Sequence, residues 1–466
     1  MLVQNFRHEF RLLSRSYWFP VLSVLFVLLC VYAGFNGTKL YEARSAELIK
    51  AKADQKVLVD RVYGVARAVE NGEEPDNMYR LSPMNMSIAT GSLAFMSTDP
   101  LSALAVGQSD LYTHQVRISS REDLATLTFT EMSNPVQLLF GNFDVSFVLT
   151  YLIPLVIIAF TYNLQSQELE SGRLKLLASN PIDPKMWLLQ RYLTRLISLC
   201  IILSFALLLT LFLLNIPFSM RLAGMTLLTF AYTLFWFAVS FVVNVFGTSS
   251  AKNAVILLMT WIVLVLIIPA AINQTASTVY PTPSRVTLLN EIRQTKKDLG
   301  KEQDKVLAAY LRNHPELARA EGENRFAYWQ GFFASQEIME NSLSPLVQQF
   351  DEQVQEQQNW ISTWRFLSPA VLFQTSFTEL AGTSSKQYNH FKNGVRNYTK
   401  NWRDHFIPMV FDNRMLTFDD LEVLPAFEYT AMYDQQVTRI NMLALLGISM
   451  VLLISGFRKQ HLRFQM

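Results

Sequence analysis

Uncharged apolar runs recur six times along the chain, and polar stretches separate them. Each run is close to the length that a helix rising about 1.5 Å per residue needs to cross a hydrocarbon core of about 30 Å. The pattern therefore predicts an all-α membrane protein with six transmembrane helices. The predicted spans are Trp18–Phe35, Val145–Tyr162, Leu196–Leu214, Leu222–Phe246, Ala254–Ile272 and Ile440–Ser455.

Composition agrees with this prediction. Half of the 466 residues are hydrophobic and only 17% are charged, which is low for a soluble protein of this size. The net charge of +2 gives no reason to expect a nucleic-acid partner. A cleaved signal peptide is the alternative for the first run, but no small-residue cleavage pattern follows it, so we interpret it as a retained helix.

Lysine and arginine are concentrated on one side of the predicted spans, which sets their direction. The short loop after the third span carries only Arg221, and Lys39 and Arg439 are the exceptions to the bias. The positive-inside rule then places both termini in the cytoplasm. The resulting division is 1–35 (N-terminal helix and first span), 36–144 (first extracytoplasmic domain), 145–272 (second to fifth spans, with a cytoplasmic loop 163–195), 273–439 (second extracytoplasmic domain) and 440–466 (sixth span and tail).

Both extracytoplasmic domains have mainly helical patterns. The predicted helices are Glu42–Asn71, Leu288–Leu311 (ended by His314-Pro315) and Phe326–Trp364, with a kink at Pro345. A similar short motif follows a helical stretch in each domain. It is Arg80-Leu81-Ser82-Pro83 in the first and Arg365-Phe366-Leu367-Ser368-Pro369 in the second. It marks either two related short helices that dip back toward the membrane or an accidental match.

Several kinds of chemistry have no support in the sequence. No phosphate-binding loop occurs, and the nearest candidate, 247–252, lacks the second glycine. The six histidines show no metal-ligand spacing. No Asp, Glu, Lys or Arg lies inside a span, which argues against coupling to a proton or sodium gradient. Tyr232, Thr233, Trp236 and Asn244 either line a translocation path or make ordinary interhelical contacts.

The N-terminal segment is amphipathic. Phe6 and Phe10 fall on one helical face, and Arg7, Arg11 and Arg15 follow the adjoining face at four-residue intervals. The pattern is typical of a helix that lies along the cytoplasmic membrane interface, with aromatic rings in the acyl boundary and guanidinium groups among lipid phosphates. The alternative is an ordinary cytoplasmic helix that precedes the first span.

The loop 163–195 contains a second candidate element. We expect a short helix with Glu168 and Glu170 at its start, where the helix dipole favours negative charge, and with Leu174, Leu176 and Leu177 on one side. Pro181 separates it from the next helix. Such a helix would suit docking into a groove of a soluble partner, and the alternative is a simple connector.

Glu168-x-Glu170-x-Gly172-x-Leu174, followed by Leu176-Leu177 and Pro181, resembles the coupling-helix signature of type-2 ATP-binding-cassette (ABC) permeases. The family pattern usually has Thr where this chain has Arg173. Further matches resemble the bacterial subgroup with large periplasmic inserts. They are residues 104–110, Asn134-Pro135, residues 141–144, Pro154-Leu155, residues 367–369 and residues 381–383.

The resemblance implies a permease of the bacterial cytoplasmic (inner) membrane that works as an exporter. It implies a pair of permeases, identical or similar, bound to two ABC ATPase subunits that hold ATP and Mg²⁺. This chain would itself be no enzyme and would bind no cofactor. Two alternatives stay open: an ABC-type subunit that relays motion to a periplasmic partner without conducting substrate, and a membrane sensor or scaffold that needs no ATPase.

Overall fold

The computed structural model describes residues 9–11, 13–73, 81–96, 99–107, 109–121, 142–172, 184–247, 249–283, 285–301, 303–318 and 325–463. Within these ranges, six helices are long and apolar enough to cross a membrane, and each coincides with one of the predicted apolar runs to within one residue or extends beyond it. The chain is therefore a multi-pass, all-α membrane protein. In the structure we call residues 36–144 and 273–439 the first and second polar segments.

The six spans are α1 (Trp18–Glu70), α3 (Val145–Glu170), α4 (Pro184–Leu213), α5 (Met220–Phe246), α6 (Ser250–Val279) and α13 (Gln435–Arg463). Between residues 148 and 152, α3 is π-helical, and α6 is π-helical over Ile262–Ile267. The first polar segment adds α2 (Pro83–Ala89). The second adds α7 (Arg285–Lys301), α8 (Gln303–Asn313), α9 (Ala327–Trp364), α10 (Pro369–Ala381), α11 (Ser385–Phe411) and α12 (Phe418–Glu422).

The first span and the first predicted polar helix form one continuous helix. We expected Trp18–Phe35 and a separate helix over Glu42–Asn71, whereas α1 runs through both for 53 residues. At about 1.5 Å per residue it is about 80 Å long, far more than a bilayer core requires. The helix continues through Gly37, where the absence of a Cβ lets the carbonyl of Ala103 approach closely. About two-thirds of α1 therefore belongs to the first polar segment.

The second polar segment follows its predicted pattern closely. Helices α7 and α8 cover the predicted Leu288–Leu311 region and end before His314-Pro315. Helix α9 matches the predicted Phe326–Trp364 helix and contains Pro345. Its apolar side packs against α7 and α8, and α11 contributes a row of buried aromatic residues that includes Phe391, Trp402 and Phe406.

The two Ser-Pro motifs both begin helices, but the helices pack against different elements. Ser82 caps α2 and Ser368 caps α10, each with a proline at the first helical position. Helix α10 packs against α5 and α13 in the core of the spans, whereas α2 packs against α11. In the first segment it is the 3₁₀ turn Pro100–Leu104 that contacts α1 and α10. The motif therefore marks a shared way of capping a helix, and the two helices are not equivalent in their packing.

The first polar segment also holds a small antiparallel sheet that the sequence did not predict. It consists of β1 (Leu93–Phe95) and β2 (Gln115–Arg117), paired through Ala94 and Val116. The sheet lies beside α1 and contributes Ala94 to the aromatic core formed with α11. It is too short to change the all-α class.

Candidate functional site

A buried ion pair joins the end of α3 to the start of α4. The Arg191 Nη1 atom donates to Glu168 Oε1 at 3.1 Å and to the Leu164 carbonyl at 3.2 Å, and Arg191 Nε lies 3.0 Å from Glu9 Oε1. Arg191 is 5% exposed and Glu168 is 9% exposed. Charges this deeply buried persist only when they are paired and hydrogen-bonded. Arg191 therefore ties the N-terminal segment, α3 and α4 together.

Glu170 makes a second connection from the same turn. Its carboxylate accepts from the Ser250 backbone N–H at 2.7 Å and from the Ser250 hydroxyl at 2.9 Å. The Ser166 hydroxyl lies 2.9 Å from the same Ser250 hydroxyl. Ser250 begins α6, and a carboxylate at a helix N-terminus satisfies unpaired N–H groups and complements the helix dipole. The end of α3 is thus attached to α6 as well as to α4.

We expect these two glutamates to begin the short helix of the loop, but in the structure they lie at the end of a helix that stops before Gly172. They belong to a helical turn, Ser166–Glu170, and Gly172 follows it with φ +69° in the left-handed region. A glycine in this conformation is the usual way to end a helix. The carboxylates are stabilised by Arg191 and by the start of α6. The predicted docking residues Arg173, Leu174, Leu176, Leu177 and Pro181 lie outside the described residues.

The N-terminal segment is described only in part. Phe6 and Arg7 lie outside the described residues, and Arg11 and Arg15 are exposed. Phe10 is 45% exposed, while Leu13 is buried in the core of the spans. An exposed aromatic ring beside exposed arginines is compatible with the predicted interfacial placement, which stays a prediction.

A buried polar cluster extends from this end into the spans. The Asn244 amide donates to the Thr161 carbonyl and to the Ser240 carbonyl, both at 2.9 Å, and the Ser240 hydroxyl donates to the Thr161 hydroxyl at 2.6 Å. Asn253 of α6 donates to Asn244 Oδ1 at 3.3 Å. The sequence indicated Asn244 but not Asn253. The cluster connects α3, α5 and α6 through hydrogen bonds that would be costly to leave unmade in an apolar surrounding.

The other candidate path residues are packed between helices. Tyr232 is fully buried, its hydroxyl donates to the Thr150 carbonyl at 2.8 Å, and its ring stacks on Phe373 of α10 at 4.7 Å. Thr150 lies in the π-helical part of α3. Thr233 bonds to the Thr229 carbonyl of its own helix, and Trp236 is 1% exposed. All three side chains are buried, Tyr232 contacts α3 and α10, and a role in conduction stays a prediction.

The opposite end of the spans carries a separate clamp that sequence reasoning missed. Arg221 at the start of α5 pairs with Asp99 of the first polar segment, and its guanidinium lies 4.2 Å from the Tyr433 ring centre in the second. Asn441 of α13 donates to Ser376 of α10 at 2.9 Å. Both polar segments therefore contact this end, while the described residues 163–172 and Ser250 lie at the other. Which end faces the cytoplasm stays a prediction.

The comparisons with known proteins cover part of the chain. Residues 285–430, from α7 to the extended stretch before α13, match the family model "Domain of unknown function (DUF3526)". No curated protein matches the chain. Among the described residues, no group of three or more His, Cys, Asp or Glu side chains is placed to hold a metal ion.

Proposed function

We propose that this chain is the membrane-spanning permease subunit of an ATP-driven ABC exporter of the bacterial inner membrane. It would work as a pair with a second copy or a similar chain, and two separate ATPase subunits would dock on the region 163–195. The observation that carries the proposal is the double attachment of the Glu168–Glu170 turn, to α4 through Arg191 and to α6 through Ser250.

This attachment supports a route by which movement of the ATPases would be transmitted to the transmembrane helices. Closure of the ATPases around ATP would push on residues that follow Gly172, and the turn before Gly172 is bonded to two other spans. From α6, the Asn253–Asn244 hydrogen bond continues to α5. Buried pairs of this kind have discrete arrangements, so a push at one end would favour a rearrangement of packed helices over local bending.

A relay of motion is the second candidate, and one observation favours it. Because α1 continues without a break from the first span to Glu70, a displacement of that span would move the first polar segment directly. The clamp at Arg221 would pass motion of α5 to both polar segments. In this version the ATPases would act on a periplasmic partner instead of moving a substrate through the spans.

Site-specific photo-crosslinking in cells that make the ATPase would test the proposal. A crosslinker would replace Ser171, which is exposed beside Gly172, and the control would carry it at exposed Ser342 on α9. We expect a protein with a phosphate-binding loop to be crosslinked from position 171 and not from position 342. Crosslinks to an ATPase from neither position would contradict the proposal and favour a sensor or scaffold.

Coupling is tested separately at Gly172. Gly172→Val should strain the left-handed backbone, whereas Gly172→Asn should be tolerated, and a Cβ at this position has nothing within 4 Å to clash with. We expect Gly172→Val, and a charged residue at Leu174, to abolish coupled ATP hydrolysis in proteoliposomes without loss of membrane insertion. Full coupled hydrolysis in Gly172→Val would count against a coupling role. Uptake of candidate substrates by the same vesicles separates export from relay.

A further inference from the structure

The second polar segment contains a groove of about 570 Å³ between α9 and α11, inside the region matched by the family of unknown function. Met339, Leu343 and Val347 of α9 supply apolar lining. Neutral polar side chains lie along the same groove, among them Gln348, Gln355 and Asn397. The groove therefore offers both apolar contact and hydrogen-bonding groups along its length.

One lining residue is buried with its polar atoms unused. Gln336 is only 4% exposed, and among the described residues neither its Nε2 nor its Oε1 atom has a hydrogen-bond partner. A buried amide without partners is unfavourable, and such groups in native proteins call for an explanation. Arg396, which also lines the groove, pairs with Asp351 through Nη1, while its buried Nη2 atom has no hydrogen-bond partner in the part of the chain that the structure describes. These atoms offer donors and an acceptor to a ligand.

The charges of the groove are largely neutralised by each other. Arg403 Nη2 lies 2.7 Å from Glu340 Oε2, and Lys392 Nζ lies 2.8 Å from Asp351 Oδ1. Burial raises the pKa of the Asp351 carboxyl, but the hydrogen bonds from Lys392 and Arg396 and the charges of these two residues outweigh it, so that this pKa lies below its usual value. A groove with paired charges has no strong field to select an anion or a cation.

The length of the groove limits the shape of its occupant. From Gln336 to Gln355 along α9 the distance is about 28 Å, at about 1.5 Å per residue. An extended peptide that rises about 3.3 Å per residue would cover it with about eight residues. A fatty-acyl chain would match the apolar lining but would leave the amide groups unpaired.

We propose that this groove binds an extended peptide segment of about eight residues, with the Gln336 amide paired to one backbone peptide group of that segment. Apolar side chains of the peptide would contact Met339, Leu343 and Val347. This inference does not rest on ATP-driven transport, because it concerns binding alone and is measured without nucleotide.

A display library of random eight-residue peptides, selected against the full chain in nanodiscs, would test it. The counter-selection target would be Ser344→Trp, which fills the groove from an exposed lining position. We expect peptides to be enriched on the wild-type chain and not on Ser344→Trp. A fluorescent fatty acid is tested in parallel. Any binding of this fatty acid should be the same on the wild-type chain and on Ser344→Trp.

Two variants on α9 then examine the amide itself. Gln336→Leu should weaken binding of a selected peptide by at least about tenfold, because a peptide group loses its partner. Its melting temperature should not fall, since the change removes an unpaired buried amide from the free protein. The matched control, Gln349→Leu, changes an exposed glutamine outside the groove and should bind as the wild type does. The proposal is overturned by failure to enrich any peptide, by unchanged binding in Gln336→Leu, or by groove-dependent binding of the fatty acid alone.

Discussion

Glu168 and Arg191 form an ion pair of 3.1 Å at the point where the second and third spans meet, and Glu9 approaches the same guanidinium at 3.0 Å. The guanidinium also lies 4.8 Å from the Trp187 ring centre. Three parts of the chain that are far apart in sequence therefore depend on one buried cation. The stability of this end of the protein should depend on that cation.

Replacing Arg191 should destabilise the protein strongly. Arg191→Met would remove the cation that pairs with both Glu168 and Glu9, and loss of one partner of a buried pair typically costs about 3–5 kcal/mol. Thermal unfolding in detergent, followed by size-exclusion chromatography, measures the effect. Lys252→Met, at an exposed position of the same end, is the control and should change little. Equal melting of Arg191→Met and the wild type would show that the pair does not hold this junction.

Two glycines of α1 should respond to alanine in opposite directions. A Cβ at Gly37 would lie 1.8 Å from the Ala103 carbonyl oxygen, so Gly37→Ala must push the 3₁₀ turn Pro100–Leu104 away, at a cost of about 1–3 kcal/mol. A Cβ at Gly64 meets nothing within 4 Å, so Gly64→Ala should stabilise the helix by about 0.5–1 kcal/mol. The melting temperature of each variant is compared with that of the wild type, and we expect a lower value for Gly37→Ala and a higher value for Gly64→Ala. Loss of stability in Gly64→Ala would contradict the helix-propensity argument.

Cysteine labelling should distinguish the two ends of the protein. Native Cys30 is fully buried and Cys200 lies within the third span, so neither should react readily. In spheroplasts, a membrane-impermeant maleimide is expected to label Ser342→Cys directly and Ser171→Cys only after permeabilisation. The reverse order would invert the predicted orientation and remove the basis for an ATPase contact at 163–195.

The junction between α8 and α9 should weaken as pH rises. His314 Nε2 lies 3.2 Å from Glu337 Oε1, and His314 Nδ1 lies 3.1 Å from Glu316 Oε1. The hydrogen bond to Glu337 raises the pKa of His314. Burial lowers this pKa to a smaller extent, and the hydrogen bond to Glu316 raises it further. Because the folded pKa is raised, the contribution to stability is complete below the unfolded value of about 6.5 and is lost as pH rises through the folded value. The effect should be small, since both side chains of the pair are partly exposed to solvent. Limited proteolysis near residue 318 at about pH 6 and about pH 8.5 measures it, and His314→Gln should remove the difference.

The sequence by itself determined the number and position of the spans. Backbone groups in lipid must be satisfied within a helix, so an uncharged run of sufficient length has few alternatives. The same applies to α9, whose long helical pattern was predicted with its proline. The caps at Ser82 and Ser368 also act through local hydrogen bonds, although the sequence alone left the role of these two segments open. Such features depend on neighbours in sequence.

Only the tertiary structure decided which partners the functional candidates have. Nothing near Glu168 in sequence indicates Arg191, and nothing near Glu170 indicates the start of α6, because both contacts join different helices. The length of α1 and the different surroundings of α2 and α10 were likewise set by packing. In the sequence Gln336 is an ordinary helical glutamine, and only the packing shows that it is buried with no hydrogen-bond partner among the described residues. Long-range contacts depend on how helices pack, and periodicity along the chain does not specify that packing.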